Sequence, residues 1–258
     1  MSERNQLPVD RIEPKFVHQG FRGDPLLAIV LPAYNESEVI RGVILEFFKE
    51  IVAKLPSTFM VAEDGSVDQT PSILASLSHE IPISLLSGRD RKGYAKGVCD
   101  AIKSCKEEWV FFSDSDGQYY PSDFWKLWGH RHEYDMVVGR KIHRSEGISR
   151  TILSKGFNGL VNTLFSLNLH DSDCGFRLIR KNVIQSIAVD SQILKYSFWT
   201  EFTIRASFKG FRILEVPINH ASRTNGKTRM YPTSKIPSII VNQLRGLSEL
   251  FVDLRRAE

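Results

Sequence analysis

A doubly wound α/β fold, with a mostly parallel sheet and helices on both faces, is what this 258-residue sequence predicts. Three observations point there. Between Leu26 and Phe112 short apolar runs alternate four times with segments of helical period. The runs are continuous rather than alternating in polarity, as strands covered on both faces are. Each run also ends in a polar cluster, the pattern of strands whose carboxyl ends feed a ligand-binding edge.

The first 25 residues are polar and carry Pro8, Pro14, Gly20, Gly23 and Pro25, which reads as a tail or strap. Leu26 to Pro32 is the first strand, with Tyr34-Asn35-Glu36 at its tip, and Ser37 to Lys54 is the helix behind it. Phe59 to Ala62 runs into Glu63-Asp64-Gly65-Ser66, and a helix opens near Val67. Ile83 to Leu86 leads to the basic turn Arg89-Asp90-Arg91-Lys92-Gly93, and a helix covers Tyr94 to Lys106. Trp109 to Phe112 is too short and too aromatic for a helix and reads as a buried strand. It stops in Ser113-Asp114-Ser115-Asp116-Gly117-Gln118, where Gly117 lets the backbone turn.

The second half is less regular. Tyr134 to Gly139 is a strand ending in Arg140-Lys141-Ile142-His143-Arg144. A helix from Ile148 to Leu167 precedes the polar loop Asp171 to Gly175 and a short strand, Phe176 to Ile179. Helices follow over Lys181 to Ala188 and Trp199 to Lys209, the latter closed by Gly210. Phe211 to Ile218 is a strand, His220 to Pro232 a loop rich in Arg, Lys, Asn and Gly, and Ser234 to Leu254 an amphipathic helix.

Composition narrows the function. With 42% hydrophobic and 25% charged residues the chain has ample core for a globular enzyme. The net charge of +4 favours anionic ligands, but no nucleic-acid-binding tail is present. Cys99, Cys105 and Cys174 have no metal-ligand spacing, and their odd number fits a reducing, cytoplasmic setting. No apolar run is long enough for a bilayer span, so any membrane contact is expected to be peripheral. The histidines show no H-x-x-x-H pattern, and neither G-x-x-x-x-G-K-[ST] nor G-x-G-x-x-G occurs.

Asp114, Asp116 and Gln118 offer hard oxygen ligands at one strand tip, a set suited to Mg²⁺ or Mn²⁺ completed by water and substrate phosphates. Alone, the same turn reads more readily as a solvated strand-to-helix connection. Asp64 is either an acceptor for a nucleoside or an Asx-turn residue, and Asp68 a helix N-cap. The basic turns around Lys92 and Arg140 either bind phosphates or are solvated. Asp171 and Asp173 read as loop caps, with Asp173 or Arg177 as candidate substrate contacts. Glu201 is either a base or the partner of Arg205 one turn on.

Four motifs in order, Val30 to Glu36, Glu63 to Thr70, Lys92 to Gly97 and Asp114 to Gln118, resemble the family-two glycosyltransferases of GT-A fold. Val137 to Arg140, Asp173 to Arg177, Glu215 to Ile218 and Arg223 to Thr228 look like the dolichyl- or polyprenyl-phosphate mannosyl- and glucosyltransferase branch. The resemblance implies a Rossmann-like catalytic domain over residues 26–233, between the extension at 1–25 and the C-terminal helix at 234–258. It implies a GDP-mannose or UDP-glucose type donor and an ion held by Asp114, Asp116 and Gln118. Pro32, Tyr34, Glu36 and Asp64 would line the nucleoside pocket, with Lys92 beside them. Arg140 and Arg150 would face phosphates, and Arg223 and Lys227 would close over the diphosphate. Asp116, Arg140, Arg150 and Glu201 are thereby the candidate catalytic residues. The resemblance also implies in-line attack that inverts the anomeric centre.

Two places depart from the family pattern: Glu63-Asp64 replaces paired aspartates, and the late motif reads Gly226-Lys227-Thr228. The leading acceptor is a polyprenyl phosphate, which needs no strong base. A soluble or glycan hydroxyl acceptor would need one, with Glu201 or Asp173 as the candidate. A non-catalytic sugar-nucleotide-binding protein is the reading from another class. Oligomeric state stays open.

Overall fold

The structure, a computed structural model, describes residues 10–12, 26–88, 90–142, 148–187, 192–222 and 236–256, with the side chains of 10–12 and 148–152 left aside. Its strands are β1 (Asp10–Ile12), β2 (Leu27–Ala33), β3 (Ser57–Glu63), β4 (Ser84–Ser87), β5 (Trp109–Ser113), β6 (Met136–Lys141), β7 (Phe176–Arg180) and β8 (Ile213–Ile218). The helices are α1 (Ile40–Phe47), α2 (Thr70–Glu80), α3 (Tyr94–Ser104), α4 (Phe124–Trp128), α5 (Ile148–Phe165), α6 (Lys181–Ser186), α7 (Phe198–Phe208) and α8 (Ile236–Arg256).

All eight strands join one sheet in the order β1-β4-β3-β2-β5-β7-β6-β8. β2 sits at its middle because its residues are apolar on both faces: Leu27, Ala28, Ile29, Val30 and Leu31 are all fully buried. Successive side chains of a strand point to opposite faces, so burial of every one means that both faces are covered. β5 shows the same pattern from Trp109 to Ser113. β2 pairs in parallel with β3 and β5, β3 with β4, and β6 with β8. Two strands run the other way. β1 adds antiparallel to the β4 edge, with Arg11 opposite Leu86. β7 inserts antiparallel between β5 and β6. The polar extension thus contributes a strand at Asp10–Ile12, which shields an open sheet edge; its other residues lie outside those described.

The sheet core runs from Ile40 and Phe47 of α1 through Phe111, Phe112 and Phe124 to Phe176 and Trp199. A second apolar cluster lies under the C-terminal helix: Val161, Leu167, Leu194, Ile204, Leu247, Leu250 and Leu254. It docks α8 on α5 and α7. Gln243 of α8 donates to the Ser197 hydroxyl, and Arg205 of α7 pairs with Asp253 at 3.0 Å. Cys99, Cys105 and Cys174 are buried and form no disulfide. Among the described residues no helix is long and apolar enough to cross a membrane.

Leu250 is fully buried in the second cluster. Its replacement, Leu250→Ala, is expected to lower unfolding free energy by about 3 kcal/mol. Denaturant unfolding measures this; a loss below about 1 kcal/mol would mean that α8 is not packed as described.

Candidate active site

Because β2, β3, β4, β5, β6 and β8 run the same way, their carboxyl ends share one edge, and β7, running against them, brings its N-terminal loop there too. The edge is laced by short side chains. Asn35, in the left-handed region at φ 54°, accepts from the Val67 amide while its own amide donates to the Ser66 hydroxyl at 2.9 Å. Small polar side chains suit such turns because they replace backbone partners. The Glu36 amide donates to the Thr70 hydroxyl, and the Glu36 carbonyl accepts from Ile40 at the start of α1. Asp68 takes the Ser37 amide on one oxygen and the Thr70 amide on the other, and so caps the turn into α2.

Asp64 grips the loop between β4 and α3. Its oxygens accept from the Lys92 amide at 2.7 Å and the Gly93 amide at 2.9 Å. A cleft opens beside it, lined by Asp64, Ser87, Gly88, Lys92 and Asp100. Lys92 spans it to Asp100 at 2.6 Å. Tyr34, at the tip of β2, lies under the Arg91 guanidinium, which stands 4.0 Å from the ring centre. The Pro32 carbonyl accepts from the Ser115 hydroxyl, tying the β2 tip to the turn after β5.

That turn carries the acidic pair. Gly117 adopts φ 75°, so the chain reverses as expected. The Gln118 amide donates to Asp116 at 3.1 Å, and its side-chain nitrogen donates to the Ala221 carbonyl at 3.0 Å. Gln118 therefore anchors the chain two residues before Arg223; Arg223 and Lys227 lie outside the described residues. Arg150 belongs to the first turn of α5, with its side chain likewise outside them.

Asp114 is where the site is most constrained. Its amide extends the β5–β7 ladder by donating to Gly175. Its Oδ1 accepts from the Tyr94 hydroxyl at 2.8 Å. Its Oδ2 lies against Gly175, where a Cβ would stand 2.1 Å away, so any side chain at 175 would displace the carboxylate. Burial, then the neighbouring Asp116 charge, pushes the Asp114 carboxyl up to about 7, while the Tyr94 hydroxyl and Lys141 pull it down. Asp173 stands in the same cluster and accepts from the Thr200 amide at 3.2 Å. Burial raises it to about 6 against the pull of Arg177. Lys141, at the end of β6, reaches Asp171 at 3.6 Å. Its neighbour Arg140 faces Glu215 at 3.9 Å and is 38% exposed, so it remains open to a ligand.

Two expected contacts are placed elsewhere. Glu201 accepts from the Ile193 and Leu194 amides at 2.7 Å each and pairs with Arg205 at 2.9 Å. Its carboxylate holds the chain before α7 and is not brought to the acidic cluster. Arg177 is fully buried and donates to Cys174 and Ser172 carbonyls, so it is not a substrate contact. The sequence assigns no role to Tyr94 or Trp199, although Tyr94 lies within the Lys92 to Gly97 motif and opens the helix on the ligand edge.

The donor set fits a hard divalent ion: carboxylate oxygens at a strand tip, with the Asp114 carboxylate fixed between Tyr94 and Gly175. Among the described residues no three His, Cys, Asp or Glu side chains form a ready-made cage. Such ions commonly take one or two carboxylates and complete their shell with substrate phosphates.

The Asp114 shift has a defined sign. Its folded-state value lies above the ordinary one, so its contribution to stability is intact below about pH 4 and is lost as pH rises through about 7. Without metal, Asp114→Asn is expected to raise the melting temperature over wild type by more at about pH 8 than at about pH 5. An equal margin at both would remove the buried-charge reading.

Comparison with known proteins follows the same lines. The model described as Glycosyl transferase family 2 matches residues 28–188. Glycosyltransferase AglD of Haloferax volcanii is 26% identical over 75% of this chain, which spans about a third, 32%, of that relative's length. Dolichyl-phosphate beta-glucosyltransferase of Dictyostelium discoideum is 24% identical, covering 81% of this chain and 70% of its own. Dolichyl-phosphate hexose transferase of H. volcanii is 26% identical, covering 80% and 87%. Among solved structures, glucosyl-3-phosphoglycerate synthase of Mycobacterium tuberculosis in complex with phosphoglyceric acid superposes with a TM-score of 0.66 at 16% identity, over 88% of this chain and 80% of that one. The same enzyme in complex with Mn²⁺, UDP-glucose and phosphoglyceric acid gives 0.64. With its family model matched over more than half its length, this chain belongs to glycosyl transferase family 2 and is a glycosyltransferase of GT-A fold.

Proposed function

We propose that this glycosyltransferase moves a hexose from a nucleoside-diphosphate sugar to a polyprenyl phosphate, with inversion and with Mg²⁺ or Mn²⁺ as cofactor. The observation that carries the reading is an acidic and a basic pair on one sheet edge. Asp114 and Asp116 stand at the tip of β5, and Arg140 and Lys141 at the end of β6, with β7 between them. Two inter-strand spacings separate them, about 10 Å. The acidic pair suits a cation-bound diphosphate, and the basic pair an anionic acceptor.

The nucleoside occupies the cleft beside Asp64 and Lys92, with Pro32, Tyr34 and Glu36 on its β2 side. Asp114 and Asp116 would hold the ion, with Gln118 the further oxygen donor of that turn. When bound, the ion neutralises charge on the leaving diphosphate. Arg140 orients the acceptor phosphate, and Arg150, Arg223 and Lys227 are proposed as further phosphate contacts. A phosphate monoester is already ionised near neutral pH, so its oxygen attacks without a base and Asp173 keeps its proton balance out of the reaction. The names of the two dolichyl-phosphate relatives support this acceptor class.

One observation favours a second reading. Asp173, raised to about 6 within the cluster, is poised as a general base for a hydroxyl acceptor. The Mycobacterium relative solved with UDP-glucose and phosphoglyceric acid supports that alternative.

The α8 face suits a lipid acceptor. Ile240, Val241 and Leu244 are 40%, 64% and 48% exposed on neighbouring turns, with Arg245 beside them. Such a face lies readily at a membrane interface.

Transfer of labelled hexose from UDP- or GDP-sugars, with Mn²⁺, onto polyprenyl phosphate in detergent tests the reaction. Label is expected in the organic phase, reduced at least about 100-fold by Asp116→Ala and little changed by Asp173→Asn. Label appearing only on a soluble hydroxyl acceptor, with Asp173→Asn inactive, would overturn the lipid reading in favour of the second. For the membrane face, wild-type chain is expected to float with vesicles of phosphatidylcholine and phosphatidylserine, and Leu244→Ser to float less. Wild type left at the bottom of the gradient would exclude this contact.

A further inference from the structure

Asp114 is held from one side by a chain of aromatic groups whose hydrogen-bond polarity has only one solution. The Trp199 indole N–H, which can only donate, gives its proton to the Tyr94 oxygen at 2.9 Å. The Tyr94 hydroxyl is left with one proton to give, and its partner is Asp114 Oδ1 at 2.8 Å. Trp199 itself is fixed. It is 2% exposed, its ring lies under the Arg177 guanidinium at 4.1 Å, and it packs on Phe112 at 4.6 Å. Phe112 also meets the edge of the Tyr94 ring. Tyr94 remains 39% exposed, so it stands at the open side of the site.

The effect on Asp114 is geometric. Tyr94 takes Oδ1, and the carboxylate packs into the space that Gly175 leaves by having no side chain. The carboxylate is thus turned before any ligand arrives. We infer that Tyr94, backed by Trp199, is a positioning residue that orients Asp114 toward a divalent cation. This rests on the reading of Asp114 as a ligand of the ion carried by the donor diphosphate. It adds a partner outside the ligand set, and it links α7 to the β5 tip. Partners of this kind fix ligand rotamers, and their loss typically weakens metal binding about 10- to 100-fold.

The test is Mn²⁺ binding by the full chain, followed by electron paramagnetic resonance of the free ion with Mn²⁺ alone and with UDP or GDP added. Tyr94→Phe, which removes one oxygen, is expected to raise the Mn²⁺ dissociation constant about 10-fold or more while the melting temperature of the metal-free chain stays near wild type. Trp199→Phe is expected to weaken binding too, and the double variant to bind no more weakly than the weaker single one, because both act through one hydroxyl. Wild-type affinity in Tyr94→Phe, or losses that add in the double variant, would overturn the inference while leaving the function intact. Absence of Mn²⁺ binding by the wild type, with either nucleotide, would overturn the metal-dependent reading and this inference together.

Discussion

The half of the molecule that carries the site is organised around one buried cation. Arg177 has no solvent exposure, and burial holds its guanidinium below the ordinary arginine range. Taking a charge that far from water costs several kcal/mol unless its donors are matched. Here they are. Its nitrogens reach the Cys174 and Ser172 carbonyls and the Thr203 hydroxyl, and its flat face covers Trp199. Each partner belongs to a segment that would otherwise be loose. The carbonyls fix the loop entering β7, and Thr203 and Trp199 fix α7. The Asp173 charge nearby offsets part of the cost. A lysine could not replace this set, because only the planar fork serves two carbonyls, a hydroxyl and a ring face together.

The reversed direction of β7 makes this useful. In a wholly parallel sheet the ligand edge receives only strand ends followed by helices. An antiparallel insertion delivers the start of a strand to that edge, and with it the Asp171–Gly175 loop. Pairing of Ser113 with Phe176 then sets Asp114 opposite Gly175. Antiparallel neighbours approach to about 5 Å between Cα atoms. At that spacing the Asp114 carboxylate lies over the facing residue, which is why a side chain at Gly175 would collide with it. Position 175 thus answers to the site as well as to the turn.

Much of this was legible in the sequence. The strand and helix alternation named the fold because continuous apolar runs of four to seven residues have few other uses. The Asp114 to Gln118 turn was legible through its place at a strand tip and the ordered motifs around it, since alternate carboxylates alone point weakly to a metal. What the sequence did not expose has a common physical cause: it depends on contacts far apart in the chain. Tyr94 and Trp199 lie 105 residues apart and meet only through the sheet. For Glu201 the pairing with Arg205 one turn on was legible, but its grip on the Ile193 and Leu194 amides depends on how the chain enters α7. Arg177 sat in a polar stretch that reads as exposed until β7 is threaded between β5 and β6. The β1 strand escaped because three residues in a polar tail carry no period of their own.

The acidic cluster remains electrostatically unfinished, and that bears on how it works. Asp114 and Asp173 are both raised well above ordinary carboxylates. Lys141 lies closer to Asp171, and Arg177 is committed to carbonyls and an aromatic face. Among the described residues the carboxylates at the β5 tip therefore repel one another, and that repulsion, with burial, comes at a cost to stability. Such local conflict is expected where a site is built for a partner rather than for the fold. In the proposed reaction positive charge arrives with the donor, as the ion on its diphosphate. Binding then relieves a repulsion that already exists, and the carboxylate that receives the ion has been turned by Tyr94 beforehand. In that proposed reaction the free energy released on neutralising the cluster would be available to hold the donor beside the acceptor that Arg140 is proposed to orient.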